Sequence, residues 1–231
     1  MYDDFDVYAS DYREVHSKNV QLTGADSFYF AGHKVRWLQN KERNDGLNWL
    51  DLGCGDGTLT ELLEHAYPQS DITGADVSFD SIMSAQKKSL NARFIHYEGN
   101  RLPFENKQFD VVLLAAVLHH VRFEAHAALI KEVKSVLKPG GRAYVFEHNP
   151  YHPGTRYIVK TCIFDKDARL LKPSYAKKIF EESGFEYPVI RYTLFFPRWG
   201  GYRLWETLEN AMSNWPLGAQ YVLQVRKPLG G

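Results

Sequence analysis

The segment Leu50-Asp51-Leu52-Gly53-Cys54-Gly55-Asp56-Gly57-Thr58 constrains the fold more than any other stretch of the chain. An apolar run at residues 47–52 leads into it. Thr58 to Ala66 follows, with Leu59, Leu62 and Leu63 on one side. That pattern is a buried strand, a turn and an amphipathic helix. Glycines at alternate positions let the backbone turn sharply and approach a ligand closely. The first N–H groups of the helix are unpaired and attract polar ligand atoms. A glycine triplet alone is equally a structural turn. Here a strand precedes it, a helix follows, and an acidic residue, Asp76, ends the next strand. A carboxylate about 20 residues beyond such a loop can accept both hydroxyls of a ribose.

The same alternation continues. Residues 71–77 read as a strand, 81–90 as a helix, 94–97 as a third strand and 109–114 as a fully buried one. Residues 123–137 carry Phe123, Ile130 and Leu137 at intervals of seven and read as a helix, stopped by Lys138-Pro139-Gly140-Gly141. A fifth strand fits 142–147. Strands separated by helices predict a parallel sheet covered on both faces. Farther on, Pro173 to Glu182 reads as a helix, 192–196 and 220–226 as strands, and 199–218 as an inserted helix with Leu204, Leu208 and Met212 at every fourth position. Residues 1–45 read as a helical cap, from Tyr8, Tyr12 and Val15 and, less regularly, Phe30, Val35 and Leu38.

Composition narrows the function. Lys and Arg (28) balance Asp and Glu (28), so overall charge makes no case for nucleic acid or an anionic membrane as partner. The longest unbroken apolar run, residues 111–118, is far short of the roughly 18 residues of a membrane span. The acidic start Met1-Tyr2-Asp3-Asp4 is unlike a signal peptide, so a cytoplasmic location is expected. Two cysteines, Cys54 and Cys162, make neither a disulfide framework nor a cysteine zinc site. The charge is uneven along the chain. Residues 151–231 hold 12 Lys and Arg against 7 Asp and Glu, a net of +5, which leaves −5 on residues 1–150. Two solvated faces, or a C-terminal part that meets an anionic substrate, both fit that split. Arg156, Lys160 and Arg169 likewise read either as a solvated face or as an anion-binding wall.

The dinucleotide fingerprint G-x-G-x-x-G needs glycine at position 58, where this chain has Thr58. That disfavours a pyrophosphate cofactor and a nicotinamide oxidoreductase. The Lys-Ser/Thr of a P-loop is absent too. Leu50–Thr58 instead resembles motif I of the class I S-adenosylmethionine-dependent methyltransferases, of small-molecule type. Ala75-Asp76-Val77-Ser78, Gly99-Asn100-Arg101-Leu102-Pro103-Phe104, Phe109-Asp110-Val111-Val112 through Leu118-His119-His120-Val121, and Leu137-Lys138-Pro139-Gly140-Gly141 resemble four further motifs of that family, in order. The first 45 and last 80 residues lie outside these motifs, and in that family they choose the substrate.

The resemblance implies a Rossmann-like, doubly wound α/β fold: a mostly parallel seven-stranded sheet with helices on both faces and an antiparallel last strand. It implies a cap over residues 1–45 and a cofactor-binding domain over 46–231. Gly53, Cys54, Gly55 and Gly57 would lie along S-adenosylmethionine, with Asp51 beneath the loop or on the methionine amino group. Asp76 would hold the ribose and Val77 would pack on the adenine. Asn100, where the family usually has Asp, would accept from the adenine amino group, flanked by Arg101 and Leu102. Ala115 and Ala116 would leave room below the sulfonium. Cys54 reads as a small packing residue or, alternatively, an activated nucleophile.

The expected reaction is methyl transfer to a small-molecule, glycan or lipid-like acceptor, most simply at oxygen, leaving S-adenosylhomocysteine. N-, C- or protein methylation and a non-catalytic S-adenosylmethionine-binding module are the alternatives. No metal is expected, because the Ala115-Ala116-Val117 strand end has no carboxylates. A hydroxyl acceptor needs a base. His120 and His119, just past the fourth strand, are the candidates, with a framework role as the other reading. His148 and His152 come second. Tyr8 and Tyr12 either close over the site or simply pack. Either a monomer or a homodimer fits.

Overall fold

A computed structural model describes residues 27–88, 91–99, 101–161, 169–196 and 202–230. The elements run α1 (Ser27–Gln39), β1 (Asn48–Leu52), α2 (Thr58–Ala66), β2 (Asp71–Asp76), α3 (Phe79–Ala85), β3 (Arg93–His96), β4 (Phe109–Ala115), a 3₁₀ turn (Leu118–His120), α4 (Phe123–Val136), β5 (Leu137–His148), α5 (Pro153–Thr161), α6 (Pro173–Glu182), β6 (Glu186–Thr193), α7 (Tyr202–Met212) and β7 (Gln220–Arg226).

The strands form one seven-stranded sheet in the order β3-β2-β1-β4-β5-β7-β6. β1 to β5 are parallel neighbours, and β7 runs antiparallel to both β5 and β6. This is the doubly wound sheet expected, with its antiparallel last strand. The order reverses at β1 and β4, so their carboxyl ends open the crevice where ligands bind in such sheets.

Alternate strand residues feed two cores. Leu50, Leu52, Val112, Leu114 and Val145 meet Ile130 and Val133 of α4 and Ile179 and Phe180 of α6. Trp49, Val111, Leu113, Tyr144 and Phe146 meet Leu59 and Leu63 of α2 and Ala31, Val35 and Leu38 of α1. With helices on both faces, β4 is apolar from Val111 to Ala115. The stripe Ala31, Val35 and Leu38 is what seats α1. Trp37 adds edge-on ring contacts to Tyr144 and Phe146, at 5.8 and 5.5 Å between centroids. His33 bonds through Nε2 to the Thr193 hydroxyl, tying α1 to the end of β6. Burial, with Lys34 and Arg36 nearby, lowers the His33 pKa to about 3, so the ring stays neutral.

Several boundaries differ from the sequence reading. The helix expected at 81–90 starts at Phe79, because the Ser78 side chain accepts the N–H of Ser81 and caps it, and it ends at Ala85. The fifth strand begins at Leu137 rather than 142. Leu137 pairs with Phe109 across a register shift, and Gly140 N–H donates to Lys227 O at 3.0 Å. The strand expected at 192–196 is β6 at Glu186–Thr193, an edge strand where Pro188 is tolerated. Helix α5 went unread. It starts on Pro153, and His152 Nδ1 accepts the Thr155 N–H at 3.1 Å, so that ring nitrogen caps a helix. Helix α7 lies inside the expected 199–218 insertion. Tyr8, Tyr12, Val15 and Leu90 lie outside the described residues. Among the described residues no helix is long and apolar enough to cross a membrane.

Candidate functional site

The glycine loop is folded onto the end of β2. Gly53 N–H and Cys54 N–H both donate to Ala75 O, at 2.7 and 3.1 Å. Gly55 N–H donates to Asp76 Oδ2 at 2.8 Å, and Ser78 N–H donates to Asp76 Oδ1 at 2.9 Å. Asp76 therefore fixes the loop and the start of α3 together, and its carboxylate keeps a lone pair for a further donor. Partial burial raises its pKa, opposed by the N–H groups of Ser78, Gly55 and Val77.

Gly55 has φ +52, and nothing lies within 4 Å of where its Cβ would stand, so the backbone there faces open space. Gly57 differs. It caps α2 with φ +78, and a Cβ would meet the Ala85 Cβ at 2.7 Å. Gly57→Ala should cost about 2 kcal/mol from left-handed strain and crowding together. A urea titration reads it as a lower midpoint.

Asp51, buried at the end of β1, accepts from Thr60 Oγ1 at 2.7 Å through Oδ2, while its Oδ1 is buried with no partner. Burial pushes its pKa up to about 7; the Thr60 hydrogen bond opposes the rise and Asp76 adds to it. Lys34 of α1 is buried and attracted by both Asp51 and Glu147. Burial lowers its pKa to about 8 against those two charges. Among the described residues no hydrogen bond or ion pair holds its ammonium. A carboxylate oxygen with no hydrogen-bond partner and an ammonium that no described residue holds thus lie close enough for Asp51 to act on the Lys34 charge.

Cys54 is buried, and its thiol is raised well above the ordinary range by burial, then by Asp51 and Asp76. That environment suits a packing residue. A thiolate nucleophile needs the opposite shift.

The two adjacent histidines part company. His119 is 2% exposed, and its Nδ1–H donates to Glu147 Oε2 at 2.5 Å. Glu147 Oε1 accepts Leu118 N–H at 2.8 Å. Burial alone would raise the Glu147 carboxyl. The charge and hydrogen bond of His119, with His148 and Leu118 N–H, hold it below its ordinary value. The His119 ring also lies 4.2 Å from that of His120 and 5.2 Å from that of His148, between centroids. His120 is half-buried and lines a cavity of about 240 Å³ with Arg101, Leu102, Tyr97, Gly99 and Leu129. That cavity brings together three of the expected site residues. Leu102 N–H is anchored to Glu132 Oε2 at 3.2 Å.

Val77 is half-buried after β2, and its carbonyl faces His96 Nε2 at 3.1 Å. Ala115 and Ala116 are half-buried at the mouth of β4. Ala116 holds φ +63 and donates its N–H to Phe146 O at 2.8 Å. A left-handed alanine at a strand end is the strain that accumulates at functional sites. Asn100 lies outside the described residues. Among the described residues no three His, Cys, Asp or Glu side chains gather as a metal-ligand set.

Residues 50–141 match the profile of the family described as "Methyltransferase domain". The matched segment is a methyltransferase domain. Demethylmenaquinone methyltransferase of Staphylococcus aureus is 32% identical over 125 residues, 51% of each chain. The chain spans about half the length of the curated relatives it matches. Among solved structures, a Thermotoga maritima S-adenosylmethionine-dependent methyltransferase, described as a possible histamine N-methyltransferase, superposes with a TM-score of 0.72 at 18% identity, covering 96% of this chain and 97% of that one. A putative methyltransferase in complex with the Haloferax volcanii Trm112 methyltransferase activator gives 0.70 at 18% identity, covering 99% of both. These two share the fold.

Two residues escaped the sequence reading, and both lie outside the matched span of the methyltransferase domain. Lys34 sits on a helix, where a lone cation reads as solvated. Glu147 is the last residue but one of β5, and its partner His119 is 28 residues away. The local hint was a charge directly after the apolar run Ala143-Tyr144-Val145-Phe146.

Proposed function

We propose that the chain binds S-adenosylmethionine across the carboxyl ends of β1, β2 and β4 and methylates a small, apolar, lipid-like acceptor at an oxygen. The observation that carries the cofactor reading is the orphaned Asp51 Oδ1 behind a glycine loop that is open over Gly55. The residues present fit the cofactor. Asp51 Oδ1 and the Lys34 ammonium match the amino and carboxylate groups of its methionine end. The backbone of Gly53 to Gly55 leaves room for its body, and the spare acceptor capacity of Asp76 suits the ribose hydroxyls. Val77, Arg101 and Leu102 suit the adenine. In this reading residues 1–45 are the cap, with α1 delivering Lys34.

Bound S-adenosylmethionine supplies an electrophilic methyl group on a sulfonium. The chain's own task is then to align the acceptor in line and accept its proton. Glu147 holds the Nδ1–H of His119 and would stabilise that ring when protonated. His120, on the wall of the 240 Å³ cavity, is the alternative proton acceptor. The small side chains of Ala115 and Ala116 keep the strand mouth clear. The oxygen reading rests on this buried His–Glu pair, and the lipid-like reading on the demethylmenaquinone relative.

The pH dependence of cofactor binding tests the methionine end. Asp51 must be ionised to take an ammonium, so affinity for S-adenosylhomocysteine should rise as pH passes about 7. Lys34 must be charged to take a carboxylate, so affinity should fall above about 8. Lys34→Met should weaken S-adenosylhomocysteine about tenfold, the strength of one charge-assisted hydrogen bond, and remove the alkaline limb. Methylthioadenosine, which lacks the amino-acid end, should bind wild type and variant alike. Calorimetry at several pH values reads both, and equal losses for the two ligands would contradict the assignment.

A further inference from the structure

The whole-chain charge balance hides a local surface. β5 ends at His148, opposite Gln220 where β7 begins, so both meet at the carboxyl edge of the sheet. Just beyond that edge Asn149 Nδ2 donates to Pro216 O and Gly218 O, at 3.1 and 2.7 Å. Thr155 Oγ1 donates to Ala219 O at 2.9 Å. These bonds set residue 151, helix α5 and residues 215–217 side by side. The joined face displays Tyr151, Tyr157, Trp215 and Leu217, each between 55% and 60% exposed. Arg156 and Lys160 stand exposed on α5, which carries no acidic residue.

The combination is specific. Tyr and Trp have an apolar body and a polar tip, which suits the headgroup level of a bilayer. Cations beside them are drawn to anionic lipid. The C-terminal part that holds this face carries the net +5 of residues 151–231. A symmetric contact with a second copy would press like charges together, since a twofold interface meets its own patch. We propose that this face seats the protein on an anionic membrane surface. It borders the edge that carries Glu147, so docking turns the site toward the bilayer. That purpose rests on the lipid-like acceptor proposed above; the binding itself does not.

The test is co-sedimentation of the full chain with vesicles of phosphatidylcholine alone or of equimolar phosphatidylcholine and phosphatidylglycerol. The expected result is binding to the anionic vesicles, weakened by salt, and little to the neutral ones. Arg156→Glu with Lys160→Glu should lower it at least tenfold, and Trp215→Ser with Leu217→Ser severalfold at unchanged charge. S-adenosylhomocysteine titration on the same preparations keeps folding and the cofactor reading separate, because these side chains lie outside that site. Equal binding to both vesicle types, no binding to either, or a charge-reversed variant that sediments like wild type would overturn the proposal. So would lipid-free self-association that the Trp215 variant abolishes, which would assign the face to a second copy.

Discussion

Replacing Asp76 with alanine should weaken S-adenosylhomocysteine binding at least about 100-fold, or about 3 kcal/mol. Two losses combine. The ribose hydroxyls lose their acceptor, and the loop loses the anchor that holds Gly55 N–H and Ser78 N–H at 2.8 and 2.9 Å. Part-buried N–H donors left without their carboxylate acceptor cost more than an exposed hydrogen bond, because water replaces the partner poorly. Asp76→Asn should fall between, since its amide oxygen still accepts from one of the two N–H groups. Folding should change much less than binding, as the cores on both sheet faces are untouched. Calorimetry beside a urea titration separates the two effects.

The second large effect belongs to Glu147. Glu147→Ala should destabilise the fold by about 3 to 5 kcal/mol, the range for removing one partner of a buried charged pair. It strands the His119 Nδ1–H and the Leu118 N–H, both deep inside. Glu147→Gln keeps the shape and can accept one of those bonds, so about 1 to 2 kcal/mol is expected. The pH dependence separates charge from shape. The folded Glu147 pKa lies below its unfolded value. Its ionised form therefore adds stability above the unfolded carboxylate range, and that stability is lost as pH falls through the lower folded value. The Gln variant should flatten this acid limb. Equal acid sensitivity in both proteins would show that Glu147 is not the group responsible.

The legible parts of the molecule are those set by local pattern. Helices α2 and α6 and strand β7 stand where leucine spacing, Pro173 and the Tyr221-Val222-Leu223 segment place them. The loop glycines and Asp76 were legible because backbone geometry demands glycine at Gly53, Gly55 and Gly57, all with positive φ. The illegible parts are set by distant neighbours. β6 begins around Tyr187, at φ +52, and Pro188, which no strand pattern suggests, and only its pairing with β7 makes it a strand. Helix α5 has no apolar stripe in Pro-Gly-Thr-Arg-Tyr-Ile-Val-Lys-Thr, and it is held by its cap and by Ala219 O. The two site groups outside the motifs, Lys34 and Glu147, acquire meaning only when the sheet sets α1, β1 and β5 together. Adjacent His119 and His120 looked interchangeable, yet one is sealed against Glu147 and the other faces a cavity.

In the proposed function the loop between β1 and α2, with Asp76 and Asp51, receives S-adenosylmethionine. Calorimetric titration of the wild-type chain with S-adenosylhomocysteine, using NAD as the control, tests it most directly. A single site with a dissociation constant on the order of micromolar for the thioether, and no heat from NAD, is expected. Binding of NAD in its place, or no binding of S-adenosylhomocysteine at millimolar concentration, would contradict it.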